Sequence, residues 1–161
     1  MTKKIGLLII TIFIFGCTPA KNSFVEPKKT NNIATIIGDD TDYGVFNWEV
    51  YGILSIDNKF VDYGLFSDNF NTKVNIPQGN HSIVALGKFN KGVMGTGPFY
   101  ATSNIDFKAN PGKNYKLKGS LDGKSMKFWI IDTQTKKIVS KKINAPYHIQ
   151  PQTTYMYVPV Y

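Results

Sequence analysis

Hydrophobic and polar residues alternate along most of the chain. In the longest such stretch, 45–57, Trp48 and Val50 lie on the apolar phase, whereas Asn47 and Glu49 lie on the polar phase. A period of two is typical of β-strands with one face in a core and the other in solvent. Beyond the first 16 residues, no stretch shows the 3.6-residue apolar period of an amphipathic helix. The pattern therefore predicts an all-β protein.

Clusters of Gly, Pro, Asp and Asn divide these stretches and set the limits of the expected strands. The strands are expected at residues 33–37, 45–57, 60–66, 73–76, 81–86, 99–107, 115–121, 126–130 and 137–143. Hairpin turns are expected at Asp57-Asn58-Lys59, Pro77-Gln78-Gly79-Asn80 and Asp122-Gly123, and a bulge is expected at Gly52. Eight or nine short strands separated by such turns predict an antiparallel β-sandwich of two sheets.

Two stretches are expected to be loops. The acidic stretch 39–44 could suggest calcium, but an EF-hand counted from Asp40 would place Tyr51 where a bidentate carboxylate is required. A turn is therefore predicted there. Gly and Pro residues between 87 and 98 predict a flexible loop, and no phosphate-binding loop, since Gly97-Pro98 leads into a strand and not a helix.

The chain begins with a different pattern. Lys3 and Lys4 precede a mostly apolar run that ends at Gly16. A helix that spans a bilayer needs about 20 apolar residues, so the run is too short to cross. Basic residues, a short apolar run and a small residue are the parts of an export signal. Residues 1–16 are therefore expected to be a cleaved signal peptide.

The end of this signal, Ile14-Phe15-Gly16-Cys17, resembles the lipobox of bacterial lipoproteins, and Cys17 is the only cysteine. The resemblance implies that Cys17 is lipidated and becomes the first residue of the mature chain. Several acyl chains, palmitate among them, would hold it stably at a membrane. The resemblance also implies that an aspartate directly after the cysteine would favour the inner membrane. The residue there is Thr18, so we expect the outer membrane of the bacterial envelope, with the protein facing the periplasm. The alternative is an ordinary signal peptide followed by an unpaired cysteine.

Three segments follow the signal peptide. Residues 17–32 contain few apolar groups and are predicted to be a lipid-anchored flexible linker. Residues 33–143 form the sandwich domain, which is large enough to fold without disulfides or metals. Residues 144–161, rich in Tyr and Pro, are expected to be an extended tail that either packs as an edge strand or adds to the sheet of a partner.

The charge excludes one class of partner. All 19 basic residues are lysines, and the formal net charge is +8. Proteins that read nucleic-acid sequence rely on the planar guanidinium of arginine, so no nucleic-acid partner is expected. The lysines occur singly or in pairs, which is typical of solvated strand edges and loops. Weak attraction to anionic headgroups or acidic glycans is the alternative.

No catalytic or metal-binding motif is found. The two histidines, His81 and His148, are far apart in the sequence, and neither has a histidine or cysteine neighbour. His81 is expected to hydrogen-bond the main chain of the turn before it. Ser82, Asp132 and His148 could form a triad only through a geometry that their spacing does not indicate. The sequence therefore predicts no enzyme, no cofactor and no metal site.

Aromatic residues on the predicted outward phases of the strands and in the tail are candidates for a binding surface. They are Tyr51, Tyr63, Tyr100, Trp129, Tyr155, Tyr157 and Tyr161. The alternative for the strand residues is simple pairing with neighbouring strands.

Several motifs within about residues 53–140 resemble small lipoproteins with a PEGA-like or DUF2846-like β-sandwich. They are an aspartate-turn hairpin, Ile56-Asp57-Asn58-Lys59-Phe60-Val61; a Pro-x-Gly-x-His turn, Pro77-Gln78-Gly79-Asn80-His81; and a strand start, Gly112-Lys113-Asn114-Tyr115. The resemblance implies a fold and an envelope location, and no reaction. We expect a non-catalytic, membrane-anchored lipoprotein that acts as a protein-interaction or accessory assembly module, with a protein partner in the envelope. The alternative is a lipoprotein that binds glycans or another cell-surface polymer.

Overall fold

The computed structural model of the chain describes residues 22–42, 47–61, 73–91 and 97–149. These residues form strands and no helix. The strands are β1 (Ile33–Ile37), β2 (Asp39–Asp42), β3 (Asn47–Ile56), β4 (Lys59–Phe60), β5 (Val74–Pro77), β6 (Gly79–Lys91), β7 (Phe99–Ala109), β8 (Asn114–Asp122), β9 (Ser125–Asp132), β10 (Ile143–Pro146) and β11 (His148–Ile149). A helix long and apolar enough to cross a membrane is absent from these ranges.

The strands form two sheets. One has five strands in the order β10-β9-β8-β1-β5, and the other has the order β11-β7-β6-β3-β2 with β4 paired to β3. Neighbouring strands run antiparallel except β1 and β8, which are parallel. The inner phases of both sheets supply one apolar core, whose fully buried members include Ile36, Ile53, Ile76, Ile83, Ile105, Leu117, Phe128 and Ile130. The predicted all-β sandwich is confirmed.

The phase of β3 was predicted wrongly over most of its length. The register against β6 shifts between Ile53 and Ser55, so the bulge lies at Leu54 and not at Gly52. A bulge adds one residue, and one residue moves every later side chain to the other face. Tyr51 and Ile53 therefore point into the core before the bulge, and Ile56 does so after it. Trp48 and Val50, expected inside, are only half-buried.

Parts of two predicted loops, residues 39–42 and 87–91, are strands in the structure. Residues 39–42 form β2, which pairs with β3. The buried carboxylate of Asp39 makes ion pairs with Lys116, at 2.6 Å, and with Lys118, so the acidic residue is matched in charge inside the sandwich. Residues 87–91, expected in a loop, extend β6 because Gly87 faces the core and the alternation continues to Phe89.

Glycines on facing strands admit large side chains from the opposite sheet. A Cβ at Gly87 would lie 2.7 Å from Cε of Met126, and a Cβ at Gly119 would overlap the ring of Tyr51. Each glycine therefore provides the space for one large residue of the other sheet.

The predicted turns differ in their outcome. Asp57 and Asn58 have φ of 49° and 62°, the left-handed pair that a two-residue hairpin loop favours, and they join β3 to β4 as predicted. Gly123 likewise lies in the two-residue loop between β8 and β9. The turn at residues 77–80 is no hairpin, since β5 pairs with β1 in one sheet and β6 pairs with β3 and β7 in the other. Turn chemistry indicates where a chain reverses, but it does not fix which strand becomes the partner.

The last predicted strand is shifted toward the C-terminus. In place of a strand at 137–143, single bridges join Ile138 to Ile131 and Ser140 to Phe107, and β10 then pairs with β9. β11 pairs with β7 of the other sheet. Residues 144–149 are therefore part of the sandwich, while the end of the predicted tail, Thr153–Tyr161, lies outside the described residues.

The segment predicted to be a linker, 17–32, contacts the sandwich at the start of its described part. Ser23 bridges Phe60 in parallel, the Phe24 N–H donates to the Phe60 carbonyl at 2.7 Å, and the Phe60 N–H donates to the Asn22 carbonyl at 2.9 Å. The side chain of Phe24 packs on the core. One buried ring and a pair of main-chain hydrogen bonds are enough to dock a segment that its composition describes as polar.

Candidate functional site

His81, at the start of β6, binds two elements at once. Its Nδ1 lies 2.8 Å from Oδ2 of Asp57, and its Nε2 lies 2.8 Å from the carbonyl oxygen of Pro77. The ring is only 7% exposed. The other Asp57 oxygen accepts the N–H of Ser82 at 3.0 Å. The predicted hydrogen bond from His81 to the main chain is confirmed, whereas the carboxylate partner was not predicted.

The bonds of His81 leave it no nitrogen for a substrate, since one protein oxygen lies within hydrogen-bond distance of each ring nitrogen. An open cleft of about 510 Å³ lies beside these residues, and Asp57, Ser82, Asp106 and Lys108 are among the residues that line it. Ser82 follows His81 in the strand, so its side chain points to the opposite face of the sheet from the imidazole, on the side of its register partner Asp106. The hydrogen bonds of His81 join the β3–β4 turn to the end of β5. They do not form an activated base or an activated nucleophile.

The structure does not bring together Ser82, Asp132 and His148. Ser82 is the register partner of Asp106 on β7, and His148 is the partner of Tyr100 on the same strand. Six residues along a strand span about 20 Å. Asp132 ends β9 in the other sheet.

The carboxylate of Asp132 organises the turn that follows β9. Its Oδ1 accepts the N–H groups of Gln134 and Thr135 at 2.8 and 2.9 Å, and Lys113 lies 3.5 Å from its Oδ2. The Thr135 N–H is the main reason that the pKa of Asp132 lies below its ordinary value of 3.8; burial opposes this effect, and Gln134 and Lys113 add to it. These contacts assign Asp132 a structural role in the turn.

Tyr51 was expected on a binding surface, and this prediction is wrong. The ring is 1% exposed and meets the ring of Phe128 edge-on at 6.1 Å. Its hydroxyl donates to Oε2 of Glu49 at 2.6 Å. The bulge at Leu54 is the cause, because it places Tyr51 on the inner face of β3.

Tyr100 and Trp129 do not share a platform. Tyr100 lies on the outer phase of β7, and Trp129 lies on the outer phase of β9 in the other sheet, so their rings face opposite sides of the sandwich. Tyr100 has His148 beside it at 6.3 Å, and Nζ of Lys142 lies 5.0 Å above the ring of Trp129. Each ring therefore contacts a side chain of a neighbouring segment, as the alternative of simple pairing predicts. The other candidates, Cys17, Tyr63, Tyr155, Tyr157 and Tyr161, lie outside the described residues.

An aromatic cluster that sequence reasoning missed consists of Phe89, Phe99 and Tyr147. Phe89 and Phe99 stack at 5.1 Å, and Tyr147 meets both rings edge-on at 4.9 and 5.4 Å. The Tyr147 hydroxyl donates to the carbonyl of Gly123 at 3.1 Å. Continuing the alternation of β6 through Gly87 to Phe89 would have revealed the first of the three rings.

The two ends of the sandwich carry different features. We call the end with His81, the β3–β4 turn and Asn22 the His81 end, and the end with the aromatic cluster and β11 the Tyr147 end. At the His81 end, Phe60 and Val25 are 53% and 83% exposed. Neither residue is singled out by the sequence, which places Val25 in the linker and Phe60 at the start of an expected strand.

Metal binding finds no support in the described ranges, which contain no group of three or more His, Cys, Asp and Glu side chains placed to hold an ion. Comparison with protein-family models, with curated proteins and with solved structures gives no match to this chain. The resemblance to PEGA-like and DUF2846-like lipoproteins therefore stays a prediction.

Proposed function

We propose that the chain is a lipid-anchored lipoprotein of the bacterial envelope, held through Cys17 at the outer membrane and facing the periplasm. In this proposal it is non-catalytic and serves as a protein-interaction or accessory assembly module. The basic, apolar and small residues before Cys17 support the anchor. The occupied nitrogens of His81 support the non-catalytic role.

The observation that carries the proposal is that the chain enters and leaves the sandwich at opposite ends. Asn22 lies at the His81 end, where its side chain donates to the carbonyl of Asn58 at 3.1 Å. Ile149 pairs with Phe99 at the Tyr147 end. From Asp106, which pairs with Ser82 at the His81 end, to Phe99 is seven residues of β7, or about 23 Å. The sandwich would therefore act as a spacer that holds residues 150–161 away from the lipid.

The described sheet edges favour the tail as the binding element. β5 and β10 are four residues long and end in Pro77 and Pro146, β11 has two residues, and β2 is acidic. Short length, proline and inward-pointing charge are the features that protect a sheet edge from pairing with another chain. Docking by strand addition to these edges is thus disfavoured, and residues 150–161 are the proposed contact with an envelope protein.

Cross-linked co-purification from bacterial envelopes tests the proposal. The full-length lipoprotein is compared with a chain that ends at Ile149, which keeps β10 and β11 and therefore keeps the sandwich intact. A full-length chain with Tyr155, Tyr157 and Tyr161 changed to Ser is the matched control, since it keeps the length of the tail. We expect a protein that is recovered with the full-length chain and lost with both variants.

Two results would contradict the assembly role. One is recovery of the same proteins with all three chains. The other is recovery of glycan without any enriched protein, which would favour the polymer-binding alternative. That alternative has no support from Tyr100 and Trp129, which face opposite sides of the sandwich.

A further inference from the structure

The length of chain before the docked segment limits how far the sandwich can lie from a lipid on Cys17. Four residues lie between Cys17 and Asn22, so five Cα–Cα steps join the two. Fully extended, they span at most about 18 Å. Because Asn22 is hydrogen-bonded to Asn58 and Phe60, the β3–β4 turn stays within that distance of the lipid attachment. A flexible linker as far as residue 32 would have allowed a much larger separation.

The surface closest to this attachment is apolar. Phe24 points into the sandwich, so its neighbours Ser23 and Val25 point outward. Phe60 is the bridge partner of Ser23 and so projects on the same face as Ser23 and Val25. Val25 and Phe60 are the two most exposed large apolar residues at the His81 end. Two exposed apolar side chains on one face, next to the segment that leads to Cys17, are suited to contact with a bilayer.

Charge at this surface fits anionic headgroups. Lys28 and Lys29 follow Val25 by three and four residues and are exposed. The two acidic residues closest to Val25 and Phe60 in the chain bind within the protein: Glu26 accepts the N–H of Asn75, and Asp57 accepts bonds from His81 and Ser82. Lysines close to an anionic lipid surface are attracted to it, and the attraction falls off within a Debye length.

We propose that the sandwich lies against the bilayer, with Val25 and Phe60 among the lipid headgroups and Lys28 and Lys29, the next basic residues of the chain, on anionic phosphates. We call this set the docking face. The proposal rests on the lipid anchor at Cys17 and adds an orientation to it: the His81 end contacts the membrane, and the Tyr147 end points away.

Tryptophan quenching tests the orientation on the full-length, acylated protein. The protein is placed in vesicles of dibrominated phosphatidylcholine and phosphatidylglycerol, because bromine on the acyl chains quenches tryptophan at the bilayer. Phe60→Trp reports on the docking face. Ile149→Trp is the matched control, since Ile149 is 55% exposed at the Tyr147 end. The parent, with Trp48 and Trp129, gives the background.

We expect the fluorescence added by Phe60→Trp to be quenched at least twice as strongly as that added by Ile149→Trp. Omitting phosphatidylglycerol, or changing Lys28 and Lys29 to Gln, should reduce this difference. Equal quenching at the two positions would overturn the orientation. Unchanged quenching without anionic lipid would overturn the role of the lysines.

The mass of the N-terminal peptide separates this proposal from the function it rests on. A peptide that begins at acylated Cys17, together with equal quenching, would leave the anchor standing and remove the docking face. A peptide without acyl chains would overturn both, because no tether would then hold the His81 end at the lipid.

Discussion

The two ends of the sandwich are held together by different kinds of contact. At the His81 end, the β3–β4 turn, the end of β5 and the start of β6 meet through hydrogen bonds of one imidazole, one carboxylate and main-chain groups. At the Tyr147 end, the stacked rings of Phe89 and Phe99 are closed by Tyr147. Hydrogen bonds depend on direction and protonation, whereas packed rings depend on buried area. The ends should therefore respond differently to mutation and to pH.

Removing a ring at the Tyr147 end should have the largest effect. Phe89→Ala deletes a side chain that is 4% exposed and contacts both other rings. Truncating a buried Phe to Ala costs about 3–5 kcal/mol. Urea unfolding of the full-length chain should show a loss of that size, and hydrogen exchange should rise most in β11 and the start of β7.

Tyr147→Phe is the matched control for this end. It keeps the ring and removes only the hydroxyl that binds Gly123, so we expect a loss of about 0.5–1.5 kcal/mol. If Phe89→Ala were no worse than Tyr147→Phe, packing would not be what holds the Tyr147 end.

Substitution of the two glycines in the middle of the sandwich should give the next largest loss of stability, and the loss should differ between them. In Gly119→Ala the new methyl meets the rigid ring of Tyr51, whereas in Gly87→Ala it meets the flexible end of Met126. Overpacking costs about 1–3 kcal/mol, and a side chain that can move lowers the cost. We expect Gly119→Ala to unfold at lower urea than Gly87→Ala. The reverse order would contradict the close approach of Tyr51 to β8.

The sequence predicts the strands well and their faces less well, and Tyr51 shows why. Alternation identifies a strand at 45–57, but one bulge at Leu54 reverses the face of Tyr51 and no residue type marks it. Gly87 shows the opposite error. It was assigned to a loop because glycine is typical of loops, yet it lies in β6 to make room for Met126, which is distant in sequence. Both failures come from contacts that local patterns do not contain.

The same limit applies to the functional surfaces. His81 could be predicted to bind its own turn because both groups are close in sequence, but Asp57 is 24 residues away and its approach depends on how β3 pairs with β6. The docking of Asn22 on Phe60 likewise joins two distant segments through main-chain atoms, which have no sequence signature.

The two histidines provide a comparison between the ends. His81→Ala removes a buried ring together with its two hydrogen bonds, to Asp57 and to the Pro77 carbonyl, and each such bond contributes about 0.5–1.5 kcal/mol. His148 is exposed and contacts only the side of Tyr100, so His148→Ala should change the unfolding free energy little. Urea unfolding of both variants makes the comparison. Equal losses would mean that the His81 bonds do not hold their end.

The smallest effect should come from Asp132, and it should depend on pH. The folded-state pKa of Asp132 is lowered, chiefly by the Thr135 N–H, so its carboxylate favours the folded state above the ordinary value of 3.8. That stabilisation is lost as the pH falls through the folded pKa. Asp132→Asn should therefore be less stable than the parent at pH 7, with the difference shrinking below about pH 4. Urea midpoints between pH 2.5 and pH 7 measure this.

The control for the pH series is Asp122→Asn at the Tyr147 end. Asp122 is 54% exposed and pairs with Lys127 at the surface, where an ion pair contributes about 0–1 kcal/mol. Its midpoint should stay close to that of the parent at every pH. A difference between Asp132→Asn and the parent that did not change with pH would show that the main-chain bonds to Gln134 and Thr135 do not depend on the charge of the carboxylate. The turn after β9 would then be stabilised by the geometry of these bonds alone, and Asp132 would resemble Asp122 in its response to pH.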